Sequence, residues 1–261
     1  MEILGSILVV FAGAVLGILG GGGSILTVPI LVYLFKISAE TSTSYSLFLV
    51  GIAASLGTIK YGRQKNIAYL TAILFAIPSF LGIFLVRRFL MPAIPLKITM
   101  FDTIVAKDQI ILIVFAIVML LASRAMIKKR VEETDLPEGT PNAGYITAYG
   151  FFVGSVTGFV GAGGGFLIVP ALNLLAKLPM KKAVGSSLFI ISISSFFGFF
   201  ASLGATVINW NLLIFLSTLS LLGIVVGGKL ASKFSGAELK PVFGYFTLIM
   251  GLVILGQQVF L

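Results

Sequence analysis

Runs of about twenty apolar residues constrain this chain before anything else does. Residues 67–86, 110–127, 184–203, 208–227 and 242–261 each have the length a helix needs to cross a bilayer core, and the shorter run 45–59 joins them. In hydrocarbon every backbone N–H and C=O needs a partner within the protein, so a spanning segment is a helix or a strand of a closed barrel. Barrel strands alternate in polarity over about ten residues, and these runs do not. Charged residues make up only 10% of the chain, against roughly a quarter in a soluble domain. The expected fold class is an all-α polytopic membrane protein.

A further apolar run, 3–35, contains what a spanning helix should avoid. It carries GILGGGGSILTVP at 17–29, with Gly20, Gly21, Gly22 and Gly23 in succession before Ser24. Four glycines cost about 3–4 kcal/mol of helix propensity relative to alanine. The stretch recurs as GFVGAGGGFLIVP at 158–170, and a shift of 141 positions superimposes the two. Gly20, Gly22, Gly23, Leu26, Val28 and Pro29 then coincide with Gly161, Gly163, Gly164, Leu167, Val169 and Pro170. The same shift pairs Lys36 with Lys177, Ser46-Leu47-Phe48 with Ser187-Leu188-Phe189, and Leu81-Gly82-Ile83 with Leu222-Gly223-Ile224. The chain is an internal duplication.

The seam is the polar stretch 128–144, KKRVEETDLPEGTPNAG, which reads as an exposed cytoplasmic linker. It separates a first transmembrane repeat, 1–127, from a second, 145–261. Each half holds a Gly-interrupted helical hairpin and about three transmembrane helices, with an insert near 91–109 in the first half. Lys and Arg favour cytoplasmic loops. Loop 60–65 carries Lys60, Arg63 and Lys65 while its counterpart 204–207 is uncharged; one loop earlier, Lys181 and Lys182 reverse the bias. Equivalent loops therefore face opposite sides, and the halves form two inverted-topology repeats. Arg87 and Arg88, at the end of an apolar run, do not fit this assignment.

The glycines make sense if their backbone does what a helix cannot. Residues 24–35 would rise only about 18 Å as a helix, too little for a core of about 30 Å. Half-helices are expected to start near Ser24 and Gly165. A half-helix N-terminus presents unpaired N–H groups and the positive end of the helix dipole, an anion site. Glycine lets a ligand approach those amides closely. Gly/Pro-interrupted segments at matching positions of two halves point to a transporter's binding site. The competing reading is packing, because Gly13-x-x-x-Gly17 and Gly154-x-x-x-Gly158 have the spacing of close helix seams.

The candidate substrate-binding residues are thus Gly20, Gly21, Gly22, Gly23, Ser24, Gly161, Gly163, Gly164 and Gly165, with the repeat-mate hydroxyls Ser46 and Ser187. Hydroxyls suit a partly dehydrated anion, but also cap and glue helices. Lys36 and Lys177 serve equally as boundary lysines. There is no cysteine or histidine, and no carboxylate lies in the middle of an apolar run. That leaves no catalytic pair, metal site or cofactor to expect, and the +9 formal charge belongs to short loops, not to nucleic-acid binding.

Two copies of this glycine-proline motif, the following Ser-Leu-Phe and the charged central linker resemble the sulfite exporter TauE/SafE family, over essentially the whole chain. The resemblance implies a non-enzymatic exporter of a small sulfur-containing or organic anion, such as sulfite or a sulfonate, in the bacterial inner membrane. A homodimer is compatible with it. An alternating-access carrier is the expected mechanism; an anion channel using the same half-helix ends as a filter is the alternative.

Overall fold

The computed structural model describes residues 2–19, 24–100, 103–127, 143–161, 163–204, 207–230 and 236–260. The helices are α1 (Glu2–Leu19), α2 (Ser24–Pro29) continued by a π-helical turn Ile30–Leu34, α3 (Ala39–Arg63), and α4 (Tyr69–Leu85) continued by a π-helical turn Val86–Leu90 into α5 (Met91–Ala93). After strands β1 (Lys97–Met100) and β2 (Thr103–Ala106) come α6 (Lys107–Ile127), α7 (Ala143–Val160), α8 (Gly165–Leu175), α9 (Met180–Ser202), α10 (Trp210–Leu230) and α11 (Gly236–Phe260).

Five helices among the described residues are long and apolar enough to cross a membrane: Ala39–Arg63, Tyr69–Ala93, Ala143–Val160, Lys181–Ser202 and Trp210–Gly227. Residues 110–127 and 242–260 fold within α6 and α11, which pack on each other. The short run 45–59 grows into the 25-residue α3. Ser38 extends its start by accepting a hydrogen bond from Thr41 N, satisfying one orphan N–H of the first turn. Between α5 and α6 the insert forms an antiparallel hairpin of β1 and β2 with Lys97 opposite Ala106, the one non-helical element of regular structure among the described residues of this mostly helical fold. α7 begins at Ala143 and takes in the last two residues of the stretch read as linker.

Helix boundaries repeat at the spacing of the sequence duplication. α1 and α7, α2 and α8, α3 and α9, and α4 and α10 each begin 141 positions apart. The caps repeat too. Lys36 and Lys177 both adopt left-handed backbone, at φ 56° and 50°. Beside them, Ile37 N donates to Leu31 O and Leu178 N to Leu172 O, both at 3.2 Å. This closes each half-helix with a bond one residue wider than the 6→1 bond of a Schellman cap, around the same left-handed residue, which gives both lysines a structural place at the helix end.

Packing follows small residues. α3 and α9 cross antiparallel: a Cβ on Gly57 would meet Leu188 and one on Gly198 would meet Leu47, with Gly51 beside Ser195 between them. α7 lies along α4, where a Cβ on Gly154 would strike the Ser79 carbonyl. α1 lies along α10, where Gly13 faces the Ser220 carbonyl in the same way. Gly154-x-x-x-Gly158 is therefore a packing seam, with Gly158 against Ile83, and Gly13 lies in a second one, as close backbone approach between membrane helices requires.

Candidate functional site

In the second repeat the helix breaks where the glycines predict. α7 ends at Val160 and α8 starts at Gly165. Between them Gly161, Gly163 and Gly164 take φ of 74°, 66° and 69°, a left-handed conformation that costs an L side chain about 1–2 kcal/mol. Gly161 N closes α7 by donating to Thr157 O at 2.8 Å. At the other side Gly164 precedes the 11-residue α8 with no side chain capping it; its carbonyl accepts from Leu167 N at 2.9 Å and Ile168 N at 3.0 Å, which leaves the amides of Gly165 and Phe166 without an intrahelical acceptor. Gly165 is buried at its first position.

The break lies along α3. A Cβ on Gly161 would strike Thr43, and one on Gly163 would come within 2.6 Å of Val50 Cγ1 and 3.5 Å of Ile191 Cγ2. Thr43 and Val50 stand two turns apart, so the run descends from near the start of α3 to its middle. At 1.5 Å per residue, Val50 lies about 17 Å into the 25-residue α3, near its middle. Ile191, its neighbour across the glycine, is its repeat mate at the centre of α9.

Three buried hydroxyls converge on this region without a hydrogen-bond partner among the described residues. Ser46 lies three residues after Thr43 and four before Val50, on the strip of α3 that the break follows, and its Oγ is unpartnered. Thr157 Oγ1, 3% exposed, is unpartnered and touches the position a Cβ on Gly164 would take. Ser195 Oγ is unpartnered where α9 crosses Gly51. Buried polar atoms are normally satisfied, so these three oxygens stand out among the buried hydroxyls of the described residues.

Other hydroxyls nearby donate to backbone carbonyls three to five residues back. Ser42 donates to Ile37 O, Thr43 and Ser44 to Glu40 O, and Ser187 to Val184 O. Ser46 and Ser187, mates in sequence, therefore differ in structure. Gly20, Gly21, Gly22 and Gly23 lie outside the described residues, as does the side chain of Ser24, whose backbone begins α2 as expected. The residue that sequence reasoning missed is Arg87. It is 2% exposed in the π-helical turn after α4, and its Nη1 donates to Ser44 Oγ at 3.1 Å. Its signal was its failure to fit the loop-charge assignment. No group of three or more His, Cys, Asp or Glu that could hold a metal occurs among the described residues.

A helical chain with several apolar spans and an interrupted half-helix opening beside the middle of one of them belongs to the class of polytopic membrane transporters. Residues 6–254 match the sulfite exporter TauE/SafE family, and the chain belongs to it. Among similar proteins, a probable membrane transporter protein of Xylella fastidiosa is 27% identical over 258 residues, covering 94% of this chain and 92% of its own. One of Bacillus subtilis is 28% identical over 244 residues, covering 87% and 85%. One of Methanocaldococcus jannaschii is 28% identical over 211 residues, covering 76% and 72%. No solved structure matches significantly.

Proposed function

We propose that this transporter carries a small anion, such as sulfite or a sulfonate, across a bacterial inner membrane by alternating access. The two glycine-headed half-helices hold the anion and the halves rock about it. The observation that carries this reading is the break at 161–164: left-handed glycines deliver an uncapped helix N-terminus to the middle of α3 beside unpartnered Ser46, Thr157 and Ser195. Unpaired amides and a helix dipole favour a negative guest. Hydroxyls donate to it without adding charge.

The halves, 1–127 and 145–261 about a cytoplasmic linker at 128–144, are read as inverted repeats. The antiparallel crossing of the repeat mates α3 and α9 supports this, since mates that run oppositely belong to oppositely oriented halves. The contact of Gly185 with Tyr61, 3.1 Å from a built Cβ, supports the orientation as well. It gathers Lys181 and Lys182 beside Lys60, Arg63 and Lys65 at one end of the crossing pair, where the positive-inside tendency puts the cytoplasm. Inverted repeats with broken helices at the midplane are the usual architecture of secondary transporters.

The test is sulfite flux in vesicles reconstituted with the purified chain. Saturable flux that Gly163→Val abolishes, with insertion intact, is the expected result. Flux unchanged by that substitution would remove the site assignment, and non-saturating flux with unitary currents would make the protein a channel.

A further inference from the structure

We infer that Arg87 is the anion-recognising residue of this transporter, gripping a small oxyanion through the Nε–Nη2 edge of its guanidinium. The inference rests on the small-anion reading above and gives it a chemistry. Arg87 sits at 2% exposure on a π-helical turn, a helix irregularity frequent at functional sites. Its Nη1 is committed to Ser44 Oγ at 3.1 Å. Ser44 donates its own proton to Glu40 O at 3.2 Å, so its oxygen is free to accept from the guanidinium. Nε and Nη2 are buried with no hydrogen-bond partner among the described residues. The Glu40 carboxylate is held by Lys107 Nζ at 2.7 Å, and Arg87 is in no ion pair among the described residues.

The one nearby carboxylate, Glu40, acts on Arg87 only at a distance while it pairs with Lys107, so two buried cations share one negative charge, and a buried charge in excess is strongly unfavourable. Nε and Nη2 share one edge of the planar group, and their parallel N–H bonds match two oxygens of a carboxylate, sulfonate or similar oxyanion. A halide offers a single centre and fits that fork poorly. The place agrees with the break. Val86, the preceding residue, would lie 3.2 Å from a Cβ on Gly158, and Thr43, beside Ser44, meets Gly161. Arg87 therefore stands where the end of α7 gives way to the glycine run. The positions 141 residues on from Ser44 and Arg87 are Gly185 and Gly228. The charge occurs once per chain, which assigns one oxyanion to each transporter.

The experiment measures the melting temperature of the purified full chain in detergent with sodium sulfite, methanesulfonate, acetate or chloride at equal ionic strength. Ligands of the folded state raise it by mass action. In the unaltered chain the oxyanions should stabilise and chloride should do so far less. Arg87→Met should melt no lower without anion, because it removes an unpaired buried charge. Its apparent oxyanion affinity should fall by about a hundredfold or more. Arg87→Lys, which keeps charge without the fork, should fall between the two. An Arg87→Met chain that melts lower yet responds to oxyanions as before would make Arg87 a strut for Ser44 and overturn the inference. Vesicle flux separates the two readings. Saturable sulfite flux with the same KM in Arg87→Met would sink the role of Arg87 and leave transport standing. Arg87-dependent binding without any flux would do the reverse.

Discussion

The Tyr45 hydroxyl accepts a hydrogen bond from Asn209 N at 2.6 Å, tying the start of α10 to α3. At the positions 141 residues on and back, Ser186 Oγ accepts from Ala68 N at 2.9 Å and ties the start of α4 to α9. Two different side chains do the same work in the two repeats, each reaching from one half into the other. Tyr45→Phe and Ser186→Ala should each lower unfolding stability by about 1 kcal/mol, the net worth of one such bond. The contacts lie near opposite ends of the α3–α9 pair, so the double variant should be additive within about 0.5 kcal/mol. Thermal unfolding in detergent reads this, and a larger coupling would mean that the two ends move together.

The glycine seams predict a graded series. An added Cβ on Gly154 strikes the Ser79 carbonyl and one on Gly13 the Ser220 carbonyl, both backbone atoms that cannot swing away. Gly154→Ala and Gly13→Ala should each destabilise by about 1–3 kcal/mol, the range for overpacking. Gly256, inside α11, has nothing within 4 Å of the same position. Gly256→Ala should be neutral or stabilising by up to about 1 kcal/mol from helix propensity. Equal effects at all three positions would show that the seams are looser than the contacts indicate.

The orphan hydroxyls give the opposite pattern. A hydroxyl that holds structure costs stability when removed, whereas one that meets no partner in the protein does not. Ser46→Ala and Thr157→Ala should leave the melting temperature unchanged or raise it, and should weaken the stabilisation by added sulfite. Ser44→Ala, whose oxygen holds Arg87, should lower the melting temperature. A Ser46→Ala chain that loses stability but keeps its anion response would assign Ser46 to helix glue alongside Ser187.

Much of this was legible in the sequence because the bilayer allows so few answers. Apolar length fixed the helices, and the half-helix starts at Ser24 and Gly165 follow from glycines that no spanning helix tolerates cheaply. The unread parts depend on three-dimensional contact. Whether the Ser46 or the Ser187 hydroxyl meets a carbonyl of its own helix turns on local reach, which repeat symmetry does not specify. Arg87 sat in plain view as a charge that broke the orientation rule, but its contact with Ser44 needs α4 packed on α7 and α9 so that the turn after it reaches α3, which no local pattern encodes. The hairpin of β1 and β2 lies in the insert, where neither repetition nor membrane length constrained the reading.

Gly163 separates packing from binding. Its φ of 66° strains any side chain, and an added Cβ comes within 2.6 Å of Val50 Cγ1. Gly163→Ala should therefore carry two costs: about 1–2 kcal/mol of backbone strain and a steric clash. Val50→Ala removes the clash and leaves the strain, so the double variant should regain part of the stability lost by Gly163→Ala alone. Sulfite flux in vesicles then discriminates. If the glycine serves only to let the break lie against α3, flux should return with stability in the double variant. If it leaves room for an anion against the amides, the added methyl still occupies that approach, and flux should stay low while the melting temperature recovers. The anion reading requires the second outcome, and flux restored in step with stability would reduce the break to a packing device.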